Sequence, residues 1–187
     1  MLIKNVFRGT HGGDIKGRSP NTYFSTEAVA RIYALSPNDA NDLCVNPRVY
    51  QADITITKPL VNNPHDPFIT AVALVIAIGE ENTRTIYLEQ EAWVCSTDMW
   101  RELQATSGLS YSGMMSKTNW LLFAQVLDVQ LYPLLDNPKY MAWFKEAGYD
   151  GAIYNGSGVG GGSPEYCVFD FYEQVNSTAA YIPQVEA

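Results

Sequence analysis

Two short strand-like segments near the C-terminus, separated by a glycine-rich run, constrain the fold more than any other feature. Residues 150–155 (DGAIYN) and 165–171 (EYCVFDF) have the composition of strands, and GSGVGGGSP lies between them. In the second segment Glu165, Cys167 and Phe169 point to one side and the residues between them to the other. The glycines predict a mobile loop beside a site, because they lower the cost of backbone motion and close approach.

The same loop contains Gly156, Gly158 and Gly161 in the GxGxxG spacing of dinucleotide-binding proteins. That fingerprint needs a helix directly after the glycines, so that the helix dipole can hold a pyrophosphate. Ser163-Pro164 and a strand follow here instead, and too few residues remain for the rest of a βαβαβ half. The sequence therefore argues against a Rossmann fold.

The N-terminal part alternates short strands with helices, without an internal repeat or a linker. Strands are predicted for LIKNVFR, for NTYFS and for residues 49–57, where apolar and polar residues alternate. A helix is predicted to begin at Ser25 or Thr26, because a hydroxyl there can cap free N–H groups. Ser36, with Pro37 at the first helical position, predicts another.

The middle region mixes apolar runs with short polar breaks. Its segments KTNWLLFAQVLDVQLYPLL and NPKYMAWFKEAG each predict a helix, the second with proline near its start and Gly148 past its end. The most apolar stretch, residues 68–78, has 11 residues. A membrane span needs about 20, so a buried helix or strand is predicted there. The N-terminus lacks the long apolar core of a signal peptide.

The balance of charges restricts the partners of this protein. Twelve basic and 20 acidic residues give a formal net charge of −8. An acidic surface repels phosphate, which argues against a protein that coats nucleic acid. The three cysteines, Cys44, Cys95 and Cys167, are widely separated, which favours reduced, packed thiols in a cytosol-like compartment.

Metal binding is not expected. The chain has two histidines, His11 and His65, and these could be combined with Asp14 and Asp66 into a metal site on paper. No pair of them has the spacing of ligands on a helix, and both histidines lie in polar segments. We interpret both as solvated loop histidines.

Four segments, taken in order, resemble the ADP-ribosyltransferase superfamily. They are FRGT at the end of the first strand, YFST with the helix that follows it, VYQADITITKPLV, and the closing pair GYDGAIYN and SPEYCVFD. In that family the first strand ends in Arg or His followed by Gly and a hydroxyl residue, and the closing strands carry the catalytic glutamate. Order and spacing carry the likeness: Arg8, then Ser25 and Thr26, then Glu165 after a glycine-rich loop.

The resemblance implies an α+β fold, a split β-sandwich of two small, mostly antiparallel sheets flanked by helices. Residues 1–187 would form a single domain, in which roughly residues 64–140 are a less typical region, with an insertion as one interpretation. The substrate would be NAD, with no metal. The implied catalytic residues are Glu165, Arg8, Ser25 and Tyr33. The implied NAD-binding residues are Arg8, Gly9, Thr10, Tyr23, Phe24, Ser25 and Tyr33.

The chemistry suits these residue types. ADP-ribosyl transfer breaks the bond between nicotinamide and C1′ of ribose through an oxocarbenium-like transition state. A fixed carboxylate stabilises that cation, so Glu165 would bind the 2′-hydroxyl beside it. Arg8 would pair with the phosphates or hold the ribose, and Ser25 would orient Glu165. Plainer roles stay open, with Ser25 as a helix cap and the aromatic rings as core.

The acceptor of ADP-ribose is less defined. The residue two before Glu165 is Ser163, where members that modify arginine have glutamate, so arginine is in doubt as the acceptor. The net charge favours a protein acceptor over nucleic acid. Likeness to phage and mobile-element members implies an effector in a bacterial cytoplasm. Two alternatives are a catalytically silent relative that binds or inhibits a target, and an NAD glycohydrolase.

Overall fold

The computed structural model describes residues 1–16, 19–36, 46–156 and 161–184. The helix predicted from Ser36 and Pro37, Cys44 and the centre of the glycine-rich loop lie outside the described residues. The strands are β1 Leu2–Thr10, β2 Thr22–Phe24, β3 Arg48–Thr55, β4 Pro59–Asn63, β5 Phe68–Thr70, β6 Asp128–Gln130, β7 Gly151–Asn155, β8 Pro164–Val168 and β9 Val175–Tyr181. The helices are α1 Glu27–Leu35, α2 Ala71–Ile78, α3 Glu80–Glu89, α4 Glu91–Cys95, α5 Asp98–Ser107, α6 Tyr111–Met114, α7 Trp120–Phe123, α8 Leu131–Leu135, α9 Pro138–Glu146 and α10 Phe171–Gln174.

The chain divides into two compact units. Residues 1–66 and 148–187 form the first, which we call the sheet unit, and residues 67–147 form the second, the helical unit. In the sequence the helical unit lies between the two halves of the sheet unit, and it overlaps the region expected to be an insertion. The α+β class, with small and mostly antiparallel sheets flanked by helices, is confirmed.

The sheet unit contains two sheets. Sheet A has the order β1-β3-β9 and sheet B the order β2-β8-β7-β4, and the pairing is antiparallel except between β4 and β7. Strands β1 and β2 meet where Phe7 and Ser25 exchange two backbone hydrogen bonds, of 2.9 and 2.8 Å. Beyond that point the two strands pair in different sheets, and we call the place where their edges diverge the gap between β1 and β2.

Buried apolar side chains fix the two sheets and α1 in place. One cluster combines residues of both sheets, among them Val6, Phe24 and Ile54, and burial of each contributes about 1.5–3 kcal/mol. On the other face of β1, α1 packs so closely that a Cβ on Gly9 would lie 2.0 Å from the carbonyl oxygen of Ala30. Glycine is therefore required at position 9 by helix packing.

Helix α1 begins at one of the two predicted positions. The hydroxyl of Thr26 accepts the N–H of Val29 at 3.4 Å, so Thr26 is the N-cap. Ser25 is still paired with β1 and does not cap the helix. The strands predicted for LIKNVFR, NTYFS and residues 49–57 are likewise confirmed as β1, β2 and β3.

The prediction of one long helix in the helical unit is wrong. The segment KTNWLLFAQVLDVQLYPLL forms α7, strand β6 and α8 instead. Strand β6 pairs antiparallel with β5 and buries Val129 completely. Pairing with a distant strand overrides the helical periodicity of the local sequence. The helix predicted for NPKYMAWFKEAG is confirmed as α9, with the side chain of Asn137 as its cap.

The most apolar stretch is only partly buried. Residues 68–78 form β5 and α2, in which Ala71 and Leu74 are fully buried. Ile76 of the same helix exposes 78% of its surface, so the prediction of a buried element holds for one face of α2. Among the described residues no helix has both the length and the apolar character to cross a membrane.

Candidate functional site

Arg8 lies where β1 and β2 separate, and its guanidinium spans the gap between them. Nη1 donates to the carbonyl oxygen of Tyr23 at 3.1 Å, and Nη2 donates to that of Lys16 at 3.5 Å. The Nε–H group is buried and has no hydrogen-bond partner within the described part of the chain. No ion pair joins Arg8 to a described carboxylate. A buried guanidinium with an unused donor is suited to bind an anion.

The surroundings of Arg8 change its pKa. Burial has the largest effect and lowers the pKa of Arg8, whereas Tyr33, Tyr23, Asp14 and Cys167 are near enough to raise it. Arginine titrates so far above neutral pH that the group stays charged. The site therefore holds a poorly hydrated cation, which gains more from an anion than a cation on the surface does.

Ser25 connects β2 to the strand that carries Glu165. Its Oγ donates to the carbonyl oxygen of Pro164 at 2.8 Å, and Pro164 immediately precedes Glu165. The antiparallel register of β2 and β8 puts Ser25 level with Glu165. Ser25 is 6% exposed and Glu165 is half-buried. Of the two roles left open for Ser25, the helix cap is wrong, and the bond that it makes holds the backbone beside Glu165.

The two faces of sheet B have different surroundings. Phe24 and Val168 lie on the face that packs into the core. Because side chains alternate along a strand, Tyr23, Glu165 and Cys167 lie on the opposite face. Phe24 is 1% exposed and packs in the core cluster, and its assignment as an NAD-binding residue stays a prediction. Its apolar ring is needed to join the sheets. Tyr23 is half-buried and remains available to a ligand.

Gly9 and Thr10 follow Arg8 along the same edge of β1. The backbone groups of Phe7 point to β2. Because backbone groups alternate along a strand, those of Gly9 point the same way, toward the gap. Thr10 is 6% exposed, and its hydroxyl has no hydrogen-bond partner among the residues described. Both residues thus add polar groups beside the guanidinium.

His11 is the residue that the sequence interpretation missed. It was expected to be solvated, but it is 6% exposed. Its ring stacks on Tyr33 with centroids 4.7 Å apart and planes 10° from parallel, and its Nε2–H donates to the carbonyl oxygen of Tyr33. The polar neighbours of His11 indicate a loop, but they cannot show that the loop folds against α1. His65 is exposed, as expected.

The loop after β1 is held over Arg8 by several hydrogen bonds. The hydroxyl of Tyr50 donates to the carbonyl oxygen of Gly13. The N–H of Asn46 donates to the carbonyl oxygen of His11 at 2.9 Å, and the N–H of Lys16 donates to Asp14 Oδ1 at 3.0 Å. These bonds fix the loop that contains Lys16, whose carbonyl oxygen accepts the hydrogen bond from Nη2 of Arg8.

The glycine-rich loop leads directly into β8. Gly156 donates its N–H to Ser163 at 2.8 Å, and Gly162 donates to the side chain of Asn155 at 3.0 Å, while residues 157–160 lie outside the described residues. A strand follows the glycines, so the Rossmann context is absent. In the parts of the chain that are described, no group of three or more His, Cys, Asp or Glu side chains could hold a metal ion.

These contacts define an α+β protein with an arginine, a serine and a glutamate arranged around the separation of two strands. Tyr23 and Tyr33 lie near the arginine, and Phe24 is set apart in the core. Comparisons with protein-family models, curated proteins and solved structures find nothing that matches this chain. The chain's own side chains therefore have to carry any assignment of function.

Proposed function

We propose that the chain is an NAD-dependent mono-ADP-ribosyltransferase with the split β-sandwich of that family. It cleaves the bond between nicotinamide and ribose and transfers ADP-ribose to a protein of a bacterial host. The observation that carries the proposal is the guanidinium of Arg8, with a buried Nε and no ion pair among the described residues, at the strand junction that leads through Ser25 to Glu165. NAD binds in the gap between β1 and β2.

Arg8 binds the pyrophosphate of NAD. Its position between the carbonyl oxygens of Tyr23 and Lys16 fixes the plane of the guanidinium. One N–H of Nη1 and one of Nη2 are left to a ligand when the other hydrogen of each is used, and a planar fork matches phosphate oxygens. The charge of Arg8, which no described carboxylate pairs with, is thereby neutralised in the complex.

Glu165 stabilises the ribose cation that forms as nicotinamide leaves. Its carboxylate accepts the 2′-hydroxyl of the ribose and supplies a fixed negative charge beside C1′. Ser25 acts through the backbone, because its bond to Pro164 restrains the start of β8. The backbone of Gly9 and the hydroxyl of Thr10 supply hydrogen bonds to the nicotinamide end.

Incubation of the purified chain with NAD and host lysate tests the proposal and separates it from its alternatives. Free nicotinamide together with labelled protein supports the transferase. Nicotinamide without label on any macromolecule indicates an NAD glycohydrolase, and neither product indicates a catalytically silent binder. Mass spectrometry of the labelled lysate then identifies the acceptor, which the residues described do not define.

A further inference from the structure

The loop that covers Arg8 also reaches an exposed tyrosine, Tyr172. The carbonyl oxygen of Lys16 accepts Nη2 of Arg8 at 3.5 Å and the hydroxyl of Thr22 at 3.4 Å, so the backbone of Lys16 is held beside the guanidinium. Its Nζ lies 4.8 Å from the centre of the Tyr172 ring. Lys16 thus connects the buried cation with a ring on the surface.

Tyr172 is too exposed to serve the core. Its surface is 77% exposed, and Phe171 meets it edge-on, with ring centres 5.4 Å apart at 85°. Its N–H donates to Asp170 Oδ1 at 3.0 Å, which fixes the start of α10. A phenol ring that is held at the surface by its backbone offers a flat apolar face on which another aromatic ring can stack.

The two cations along this path, Lys16 and Arg8, have no ion-pair partner among the described residues. The nearest acidic group in the loop, Asp14, accepts the backbone N–H of Lys16 at 3.0 Å. In a chain with a formal charge of −8, two cations without ion pairs next to an exposed ring form a local arrangement suited to an anion that carries an aromatic base.

We propose that Lys16 and Tyr172 form the adenosine subsite, with adenine stacked on Tyr172 and Lys16 joining Arg8 at the pyrophosphate. This rests on the function proposed above. The register of β2 and β8 supports this placement of the two ends of NAD. Ser25 is level with Glu165 at one end of the strand pair, and Thr22 lies opposite Val168 at the other. The two ends are roughly 10 Å apart along the strands, and α10 follows the Val168 end.

Binding of ADP-ribose and of nicotinamide mononucleotide to the full chain, measured by calorimetry, tests this subsite. Tyr172→Ala should weaken binding of ADP-ribose by about fivefold or more, the usual effect of removing a ring on which a base stacks. The mononucleotide lacks adenine, so its affinity should not change. Tyr172→Phe keeps a flat ring and should bind ADP-ribose as the unaltered chain does.

Tyr149 provides the matched control, because Lys58 Nζ lies 4.5 Å from its ring centre in the same unit. Tyr149→Ala should leave both affinities unchanged. The subsite is overturned if Tyr172→Ala binds ADP-ribose normally, or if it loses affinity for both ligands equally. If ADP-ribose binds through Tyr172 but NAD is never cleaved, only the proposed transferase activity is overturned. If the unaltered chain does not bind ADP-ribose, both proposals are overturned.

Discussion

The two units bury different kinds of side chain. Within the described residues, the buried polar side chains of the sheet unit are Thr10, His11, Asn21, Thr22 and Ser25, all within 16 positions of one another. The helical unit buries only two, Thr83 and Thr97, and fills its interior with large aromatic residues such as Trp120 and Tyr140. Burying polar groups costs folding free energy. A cluster of them therefore indicates a region where stability is reduced in favour of function.

Both units expose large apolar side chains, among them Leu2 and Ile182 of the sheet unit, at 57% and 59%. The helical unit exposes large apolar side chains such as Ile76, Leu121 and Leu122, at 78%, 58% and 65%. The most exposed aromatic residue of the sheet unit, Tyr172, is one that we assign to a ligand. The comparison separates a unit whose sequence serves packing from a unit whose sequence also serves a site. Substitutions in the helical unit should therefore change stability, and substitutions in the sheet unit should change NAD chemistry.

The largest effect is expected in the helical core. Trp120 is fully buried against Tyr87, with ring centres 5.3 Å apart. Trp120→Ala should lower the free energy of unfolding by about 3–5 kcal/mol, because it leaves a large cavity. Urea denaturation followed by circular dichroism measures this. Leu122→Ala, at an exposed position, should change it by less than about 0.5 kcal/mol.

Activity sharpens that first prediction. The Trp120→Ala protein that remains folded should release nicotinamide from NAD at the normal rate per molecule. A fall in that rate as large as the fall in Glu165→Gln would break the division between the units. Trp120→Phe should cost less stability than Trp120→Ala, because the indole N–H has no hydrogen-bond partner among the described residues and most of the ring volume is kept.

Glu165→Gln should reduce nicotinamide release by at least about 100-fold, because one preorganised charge at a transition state is worth roughly 3 kcal/mol. NAD binding and the unfolding midpoint should be nearly unchanged, since the amide has the same shape. Glu173→Gln, at an exposed position on α10, is the matched control and should turn over normally. Normal turnover by Glu165→Gln would contradict the assignment of this carboxylate.

Arg8→Lys should weaken NAD binding by about tenfold, because lysine keeps the charge but loses the planar fork, and bonds of charged groups contribute about 1.5–3 kcal/mol. Titration calorimetry with NAD measures the affinity. Arg101→Lys, which alters an exposed arginine paired with Asp98 in the helical unit, should bind NAD normally. An unchanged dissociation constant for Arg8→Lys would show that the guanidinium does not contact the dinucleotide.

Strands β1, β2, β3, β7 and β8 and the Thr26 cap could be predicted from the sequence, because they depend on local alternation and on a hydroxyl residue at a helix start, whereas β4, β9 and α10 were not predicted. The order and spacing of the motifs also predicted that Arg8, Ser25 and Glu165 belong to one site. The role of Phe24 could not be predicted from the sequence. An aromatic residue in a strand with one buried and one accessible face suits the core and a ligand equally well. Which face it takes is decided by the strand opposite.

The remaining errors have the same origin in distant contacts. His11 lies in a polar segment, and its burial depends on α1, which is more than 15 residues away in the sequence. Strand β6 exists because β5, about 60 residues earlier, supplies its pairing partner, so a periodic local sequence predicted a helix there. Residues that act through long-range contacts are therefore the ones that the sequence leaves undecided.

The smallest effect concerns charge at the surface of the helical unit, in contrast to the buried charge of Arg8. Lys139 Nζ donates to Glu89 at 2.6 Å and Tyr140 also donates to it, and these bonds lower the pKa of Glu89 below its ordinary value of 4.5. A lowered pKa in the folded chain contributes stability above pH 4.5, and that stability is lost as the pH falls through the lowered pKa. Glu89→Gln should therefore cost more stability at pH 7 than at pH 3, and by less than about 1 kcal/mol because the pair is exposed. Unfolding by urea at the two pH values measures the difference, and an equal cost at both would show that the carboxylate's charge has no role.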